Sequence, residues 1–194
     1  MYARPSDLDD ALGLLAERSA RLIAGATDIY PGAGERRLQG GYVDVSNISA
    51  LRGVRFDSAS VRIGATTTWS DIARTDLPPA FDALKVAARD VGGAQIQNRD
   101  RIAGNLCNAS PAADGVPPLL ILDAEVELAS RRGRRRLALD VFINGARSTL
   151  LAPDEVMTAV VTPLMPRLVR GIHAFLNAAA RRGWPGEDLE KIRP

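Results

Sequence analysis

One cysteine, Cys107, and one histidine, His173, are all that 194 residues contain of either type, and this scarcity removes several kinds of chemistry. A lone cysteine forms no internal disulfide. It cannot hold an iron–sulfur cluster, which takes about four thiolates. One Cys and one His cannot build a thiolate–imidazole zinc site either. If the chain moves electrons, it does so on an organic cofactor, with metals on other chains. Aromatic residues make up 5% of the sequence, too few to stack successive bases, and a net charge of +2 gives no argument for nucleic acid. No run approaches the ~18 to 20 apolar residues that span a bilayer. The opening Met1-Tyr2-Ala3-Arg4-Pro5 is not apolar, so no signal peptide is expected and the expected location is cytoplasmic.

What is present is an ordinary globular mixture, 46% apolar and 25% charged, long enough for one domain or two small lobes. Ser6 is the expected N-cap of a helix over residues 7–18, with Leu8, Leu12 and Leu15 on its inner face. Residues 21–24 read as a buried strand running into Gly25-Ala26-Thr27-Asp28, and Pro31, Gly32 and Gly34 then keep the chain in a loop. Strands are expected at 42–45, 61–65 and 156–161, and helices at 69–74, 79–90 and from Pro117 to near Asp123. A hairpin is expected from 125–129 and 135–139 around Arg131-Arg132-Gly133-Arg134. Residues 92–111 fit neither period. Early alternation followed by hairpins gives an α+β or mixed α/β class.

Two segments carry candidate chemistry. In Ala24-Gly25-Ala26-Thr27-Asp28 small residues allow close backbone approach, successive amides can form an anion-binding nest, and the Thr27 hydroxyl can donate to the same phosphate. The dinucleotide fingerprint Gly-x-Gly-x-x-Gly is absent, and alone this segment reads better as a plain turn. Residues 101–114 combine small side chains, two asparagines, a serine and Asp114, which can accept from sugar hydroxyls. A flat ligand fits that composition, as does a polar loop satisfying itself. The five arginines between Arg131 and Arg136 read as a solvated hairpin tip, Cys107 as an inert packed thiol, and His173 as a residue without an evident partner.

Together these segments resemble the FAD-binding subunits of molybdopterin hydroxylases, the family of xanthine dehydrogenase and aerobic carbon monoxide dehydrogenase. Tyr2-Ala3-Arg4-Pro5, Ala24-Gly25-Ala26-Thr27-Asp28 and Ile63-Gly64-Ala65-Thr66-Thr67-Thr68 follow the family's order. So do Gln95-Ile96-Gln97-Asn98-Arg99, Ile102-Ala103-Gly104-Asn105 and the specific Asn108-Ala109-Ser110-Pro111-Ala112-Ala113-Asp114. The resemblance runs to about Pro163 and implies a p-cresol-methylhydroxylase-like α+β fold of two lobes. Their implied spans are residues 1–56 and 57–163, with 164–194 an atypical tail.

It implies that FAD lies between the lobes. Leu22, Ile23, Ala24, Gly25, Ala26, Thr27, Asp28 and Ile29 would run along the diphosphate. Arg101, Ile102, Ala103, Gly104 and Asn105 would face diphosphate and flavin, Asp114 would take a sugar hydroxyl, and Val91 and Met157 would pack on the cofactor. The implied work is electron transfer from a 2Fe–2S small subunit, itself fed by a molybdopterin-binding large subunit, to NAD or another acceptor. Three departures stand out. Ala26 and Ala103 replace glycines of the usual pairs, so a methyl is expected to crowd the diphosphate or forbid φ > 0. Asn177, before Arg181 and Arg182, stands where the family places a lysine. The chain also stops where the family continues with a further domain, as a truncated gene product would. An apolar patch is then expected around Val156, Val160 and Val161, with Leu164 and Leu168 beside it. The alternative is a cofactor-poor docking or remnant subunit.

Overall fold

The computed structural model describes residues 1–17, 20–29 and 39–164. A small lobe comes first. Strands β1 (Tyr2–Ala3) and β2 (Ala20–Ile23) both pair in parallel with β3 (Gly41–Asp44), in the order β1-β3-β2. Helix α1 (Leu8–Glu17) buries Ala11, Leu12 and Leu15, one face at helical spacing, against Val43, Val45 and Ile48. Its cap is Asp7, not Ser6: the Asp7 carboxylate accepts from the Asp10 amide at 2.9 Å. An ionised cap also complements the positive end of the helix, an advantage that a serine lacks.

The larger lobe is a five-stranded antiparallel sheet, β4-β5-β10-β6-β7. Its strands are β4 (Val54–Phe56), β5 (Ser60–Gly64), β6 (Glu125–Ser130), β7 (Gly133–Ala138) and β10 (Val156–Pro163). The division expected after residue 56 falls between β4 and β5, which hydrogen-bond to one another. Strand β10 takes the centre, and its apolar run Val156-Met157-Thr158-Ala159-Val160-Val161 is buried throughout. The expected apolar patch is therefore absent at Val156, Val160 and Val161. Val156 packs into the small-lobe core and Val160 into the large one. Leu168, His173, Asn177 and the rest of 165–194 lie outside the described residues.

Helices α2 (Trp69–Arg74), α3 (Asp82–Asp90), α4 (Ala94–Gln97), α5 (Ile102–Asn108), α6 (Val116–Ile121) and α7 (Leu139–Phe142) complete this lobe with the short hairpin β8 (Ile143–Gly145) and β9 (Ser148–Thr149). Trp69, Phe81, Leu84, Leu119, Val126 and Phe142 are among the fully buried side chains of its core. Helix α2 starts with a reciprocal capping box between Thr68 and Asp71. Residues 92–111 are not irregular, as expected, but hold α4 and α5. Only Ile102 and Leu106 of α5 are buried, too few positions to reveal a period. The arginine hairpin turns at Arg131-Arg132, and most of its guanidinium groups meet carboxylates: Arg132 with Asp154 (2.8 Å), Arg135 with Glu155 (2.7 Å) and Arg136 with Glu127.

Candidate functional site

Strand β2 is an edge strand of the small sheet, not the buried strand its apolar run suggests, and Leu22, Ile23 and Ala24 are only half-buried. Their free side borders a cleft between the lobes. One part of it, about 430 Å³, is walled mainly by apolar groups including Val45, Ala65, Leu151 and Met157. A second part, about 250 Å³, is walled by Gly25, Ala26, Thr27, Asp28 and Ile29 opposite Asp100 and Asn108. Both parts share Leu22, Ile23, Ala24, Arg101, Gly104 and Cys107, so the cleft is continuous. Its size is that of an ordinary ligand site.

The turn after β2 presses backbone to backbone on the segment before α5. A Cβ on Gly25 would lie 2.1 Å from the Arg99 carbonyl oxygen, so only glycine fits. Ala26 stands at φ +57: its methyl does not forbid the left-handed conformation, as expected, but makes it costly. Thr27 donates its hydroxyl hydrogen to Asp100 Oδ1 at 3.0 Å, so this donor is spent within the protein. Asp28 accepts from Asn108 Nδ2 at 2.8 Å, and Asn108 in turn accepts from the Arg147 guanidinium. Burial and then the nearby Asp100 charge raise the Asp28 carboxyl above its ordinary value, with Arg147 opposing.

On the opposite wall α5 is held by backbone bonds from Ile102 to the Thr67 carbonyl (3.1 Å) and from Ala103 to that of Ala65 (3.3 Å). Ala103 therefore sits in regular helix, where its methyl costs nothing. Gly104 is exposed, and a Cβ there would meet only Asp100 Oδ1, at an ordinary 3.5 Å. Its bareness serves the cleft rather than internal packing.

Arg101 is the unusual group. Its Nε and Nη1 are buried without a hydrogen-bond partner, as is Oγ1 of Thr66 beside it on the cleft wall. Among the described residues no carboxylate pairs with it. Burial, then the like charge of Arg52, pulls its pKa below the usual arginine value against Asp71, Asp100 and Asp44, yet a guanidinium stays charged. A cation with two buried, unpartnered nitrogens and an orphaned hydroxyl on a ligand-sized cleft call for an anionic, hydrogen-bonding occupant. Burial pushes the Cys107 thiol up to about 12, well above the range of an activated thiolate.

The structure thus gathers residues 22–29, Arg101, Ala103, Gly104 and Met157 around one cleft. Four other candidates stand elsewhere. Ile102 and Val91 are in the large core. Asn105 buries an unpartnered Oδ1 near the Cβ position of Gly115, and Asp114 is exposed and not among the cleft's lining residues. Sequence reading did not single out Asp100 and Thr66, which also line the cleft. Asp100, flanked by Arg99 and Arg101, looks there like one more surface charge.

Known proteins share this fold. The family described as the FAD binding domain in molybdopterin dehydrogenase matches residues 1–165. The xanthine dehydrogenase FAD-binding subunit of Escherichia coli O157:H7 is 34% identical over 170 residues, covering 86% of this chain and 58% of that one. The solved carbon monoxide dehydrogenase from Hydrogenophaga pseudoflava superposes with a TM-score of 0.77 at 29% identity, covering 86% of this chain and 59% of its own. Quinoline 2-oxidoreductase from Pseudomonas putida 86 gives 0.77 at 26% identity, with 84% and 59% covered. The α+β architecture is common to them. The chain spans less than two thirds of the length of these relatives.

Proposed function

We propose, from the premise that this chain belongs to the family of FAD-binding domains in molybdopterin dehydrogenases, that it is the flavin-holding electron-transfer part of a molybdenum hydroxylase complex. The observation that carries the reading is the unpaired Arg101 guanidinium on the wall of the interlobe cleft. The residues present fit FAD. A cation and the bare Gly104 backbone suit a diphosphate, and the Gly25–Asp28 turn closes over the same part of the cleft. The apolar wall of Val45, Ala65, Leu151 and Met157 suits a flat ring system. Leu22 to Ile29 would line the diphosphate from the small lobe and Arg101 and Gly104 from the large one, with Ala103 on the ring side. Val91, Ile102, Asn105 and Asp114 join the proposal on the family resemblance alone.

When bound, FAD supplies the redox chemistry. The chain's own residues supply position and charge: Arg101 neutralises the anionic centre, and the Leu22–Ala24 edge excludes water from one side. The proposed partners are a 2Fe–2S subunit that delivers electrons and a molybdopterin subunit that selects the substrate. NAD or another acceptor removes the electrons. No helix among the described residues is long and apolar enough to cross a membrane. A cofactor-poor docking subunit is the second reading, favoured by the Thr27 hydroxyl, which is spent on Asp100 rather than free for a phosphate. Purification with and without the co-expressed subunits, followed by a visible spectrum, separates the two. A flavin spectrum near one FAD per chain supports the first. A colourless protein that assembles normally and takes up no added FAD supports the second.

A further inference from the structure

Asp100 stands where the two cleft walls meet. Its Oδ1 accepts from the Thr27 hydroxyl at 3.0 Å and from the Arg101 amide at 2.9 Å, and its Oδ2 from the Trp69 indole at 2.9 Å. Trp69 is fully buried, with its ring against Gly115, where a Cβ would lie only 2.4 Å away. The buried indole occupies the space that a side chain at position 115 would need, and it holds the carboxylate through its N–H. Immediately before Asp100 is the Arg99 carbonyl that touches Gly25; immediately after it is Arg101, with its unpaired guanidinium. A carboxylate has the wrong charge to bind a diphosphate itself. Its three donors account for its place on the wall.

We propose, resting on the FAD reading above, that Asp100 is a positioning residue. Through Thr27 it sets the Ala24–Asp28 turn against α5, and through its own backbone it sets Arg101, without contacting the cofactor. Asparagine cannot do this work. It has one acceptor oxygen, so either Trp69 or the Thr27–Arg101 pair loses its partner and meets an amide N–H instead.

The test is a double-mutant cycle on FAD affinity, measured by titrating FAD fluorescence with the apoprotein, with apoprotein melting curves in parallel. Asp100→Ala and Asp100→Asn are each expected to bind FAD about tenfold more weakly, the effect of one charged hydrogen bond. Thr27→Val is expected to weaken binding severalfold, and Thr27→Ser to restore it. If Thr27 acts through Asp100, the Asp100→Ala/Thr27→Val double variant binds no worse than Asp100→Ala alone. A Thr27→Val loss that persists in full in the Asp100→Ala background means that Thr27 serves the ligand directly, and overturns the proposal. Parent-like affinity of the Asp100 variants overturns it too. Should Asp100→Ala not fold, Asp100→Asn takes its place in the cycle. A parent protein that takes up no FAD overturns the FAD reading itself, a result distinct from either of these.

Discussion

Ala26, at φ +57, holds a conformation that costs an alanine about 1 to 2 kcal/mol more than a glycine. Part of any gain from Ala26→Gly is returned through the more flexible unfolded chain. The expected net stabilisation is about 0.5 to 1 kcal/mol, or some 2 °C in melting temperature for a chain of this size. The strain exists with or without a ligand, so FAD affinity is expected to change less than threefold. A fall in melting temperature would show that the methyl packs favourably. Arg101 makes the opposite trade. Arg101→Leu removes a cation with buried, unpartnered nitrogens, so the apoprotein is expected to melt higher, while FAD binding weakens tenfold or more. A lower melting temperature with unchanged FAD affinity would mean that Arg101 is satisfied within the protein, and the fit to an anion would fail.

Elements with a clean period were legible in the sequence, and those defined by a few contacts were not. Helix α2, strand β5 and the arginine hairpin stand within a residue or two of their expected limits because each carries its own capping, alternation or turn signal. Strand β2 was legible as a strand but not as an edge, since an apolar run looks the same beside a core and beside a ligand cleft. Helix α5 was hidden, because its first amides are satisfied by Thr67 and Ala65, far from it in sequence. The stretches 24–28 and 101–104 were recognisable from their small residues, though not the helix that the second one opens, whereas Asp100 was not. Its role depends on donors 73 and 31 residues away. At this scale the cap of α1 gives a simple test. Asp7→Ala is expected to cost about 1 kcal/mol, with Ser6→Ala close to neutral. The reverse order in urea melts would return the cap to Ser6.

Across the whole molecule, hydrogen-bonded carboxylates in both lobes set how the fold responds to acid. The Arg135 bond lowers Glu155, whose carboxylate also accepts from the Ala152 amide at 2.9 Å. At Asp44 burial acts to raise the pKa, but Tyr2, Ser46 and Arg4 outweigh it. Burial is likewise outweighed by Thr68 and Arg52 at Asp71, and by Arg136 and Arg62 at Glu127. A carboxylate whose folded pKa lies below its unfolded one adds stability above the unfolded value and loses it as pH falls through the folded value. Stability is therefore expected to be nearly flat at neutral pH and to fall steeply below about pH 4. Asp28 has the opposite sign: its raised pKa makes its contribution largest in acid and lost as pH rises, which blunts the fall slightly. Glu155→Gln isolates one of these carboxylates. With Glu155 buried but Arg135 half-exposed, the loss at pH 7 is expected to be about 1 to 2 kcal/mol. The variant and parent curves should converge as pH falls through the Glu155 titration, because protonation has by then removed from the parent the charge that the variant lacks at every pH. Curves that stay parallel from pH 7 to pH 3 would mean that the variant loses packing rather than charge.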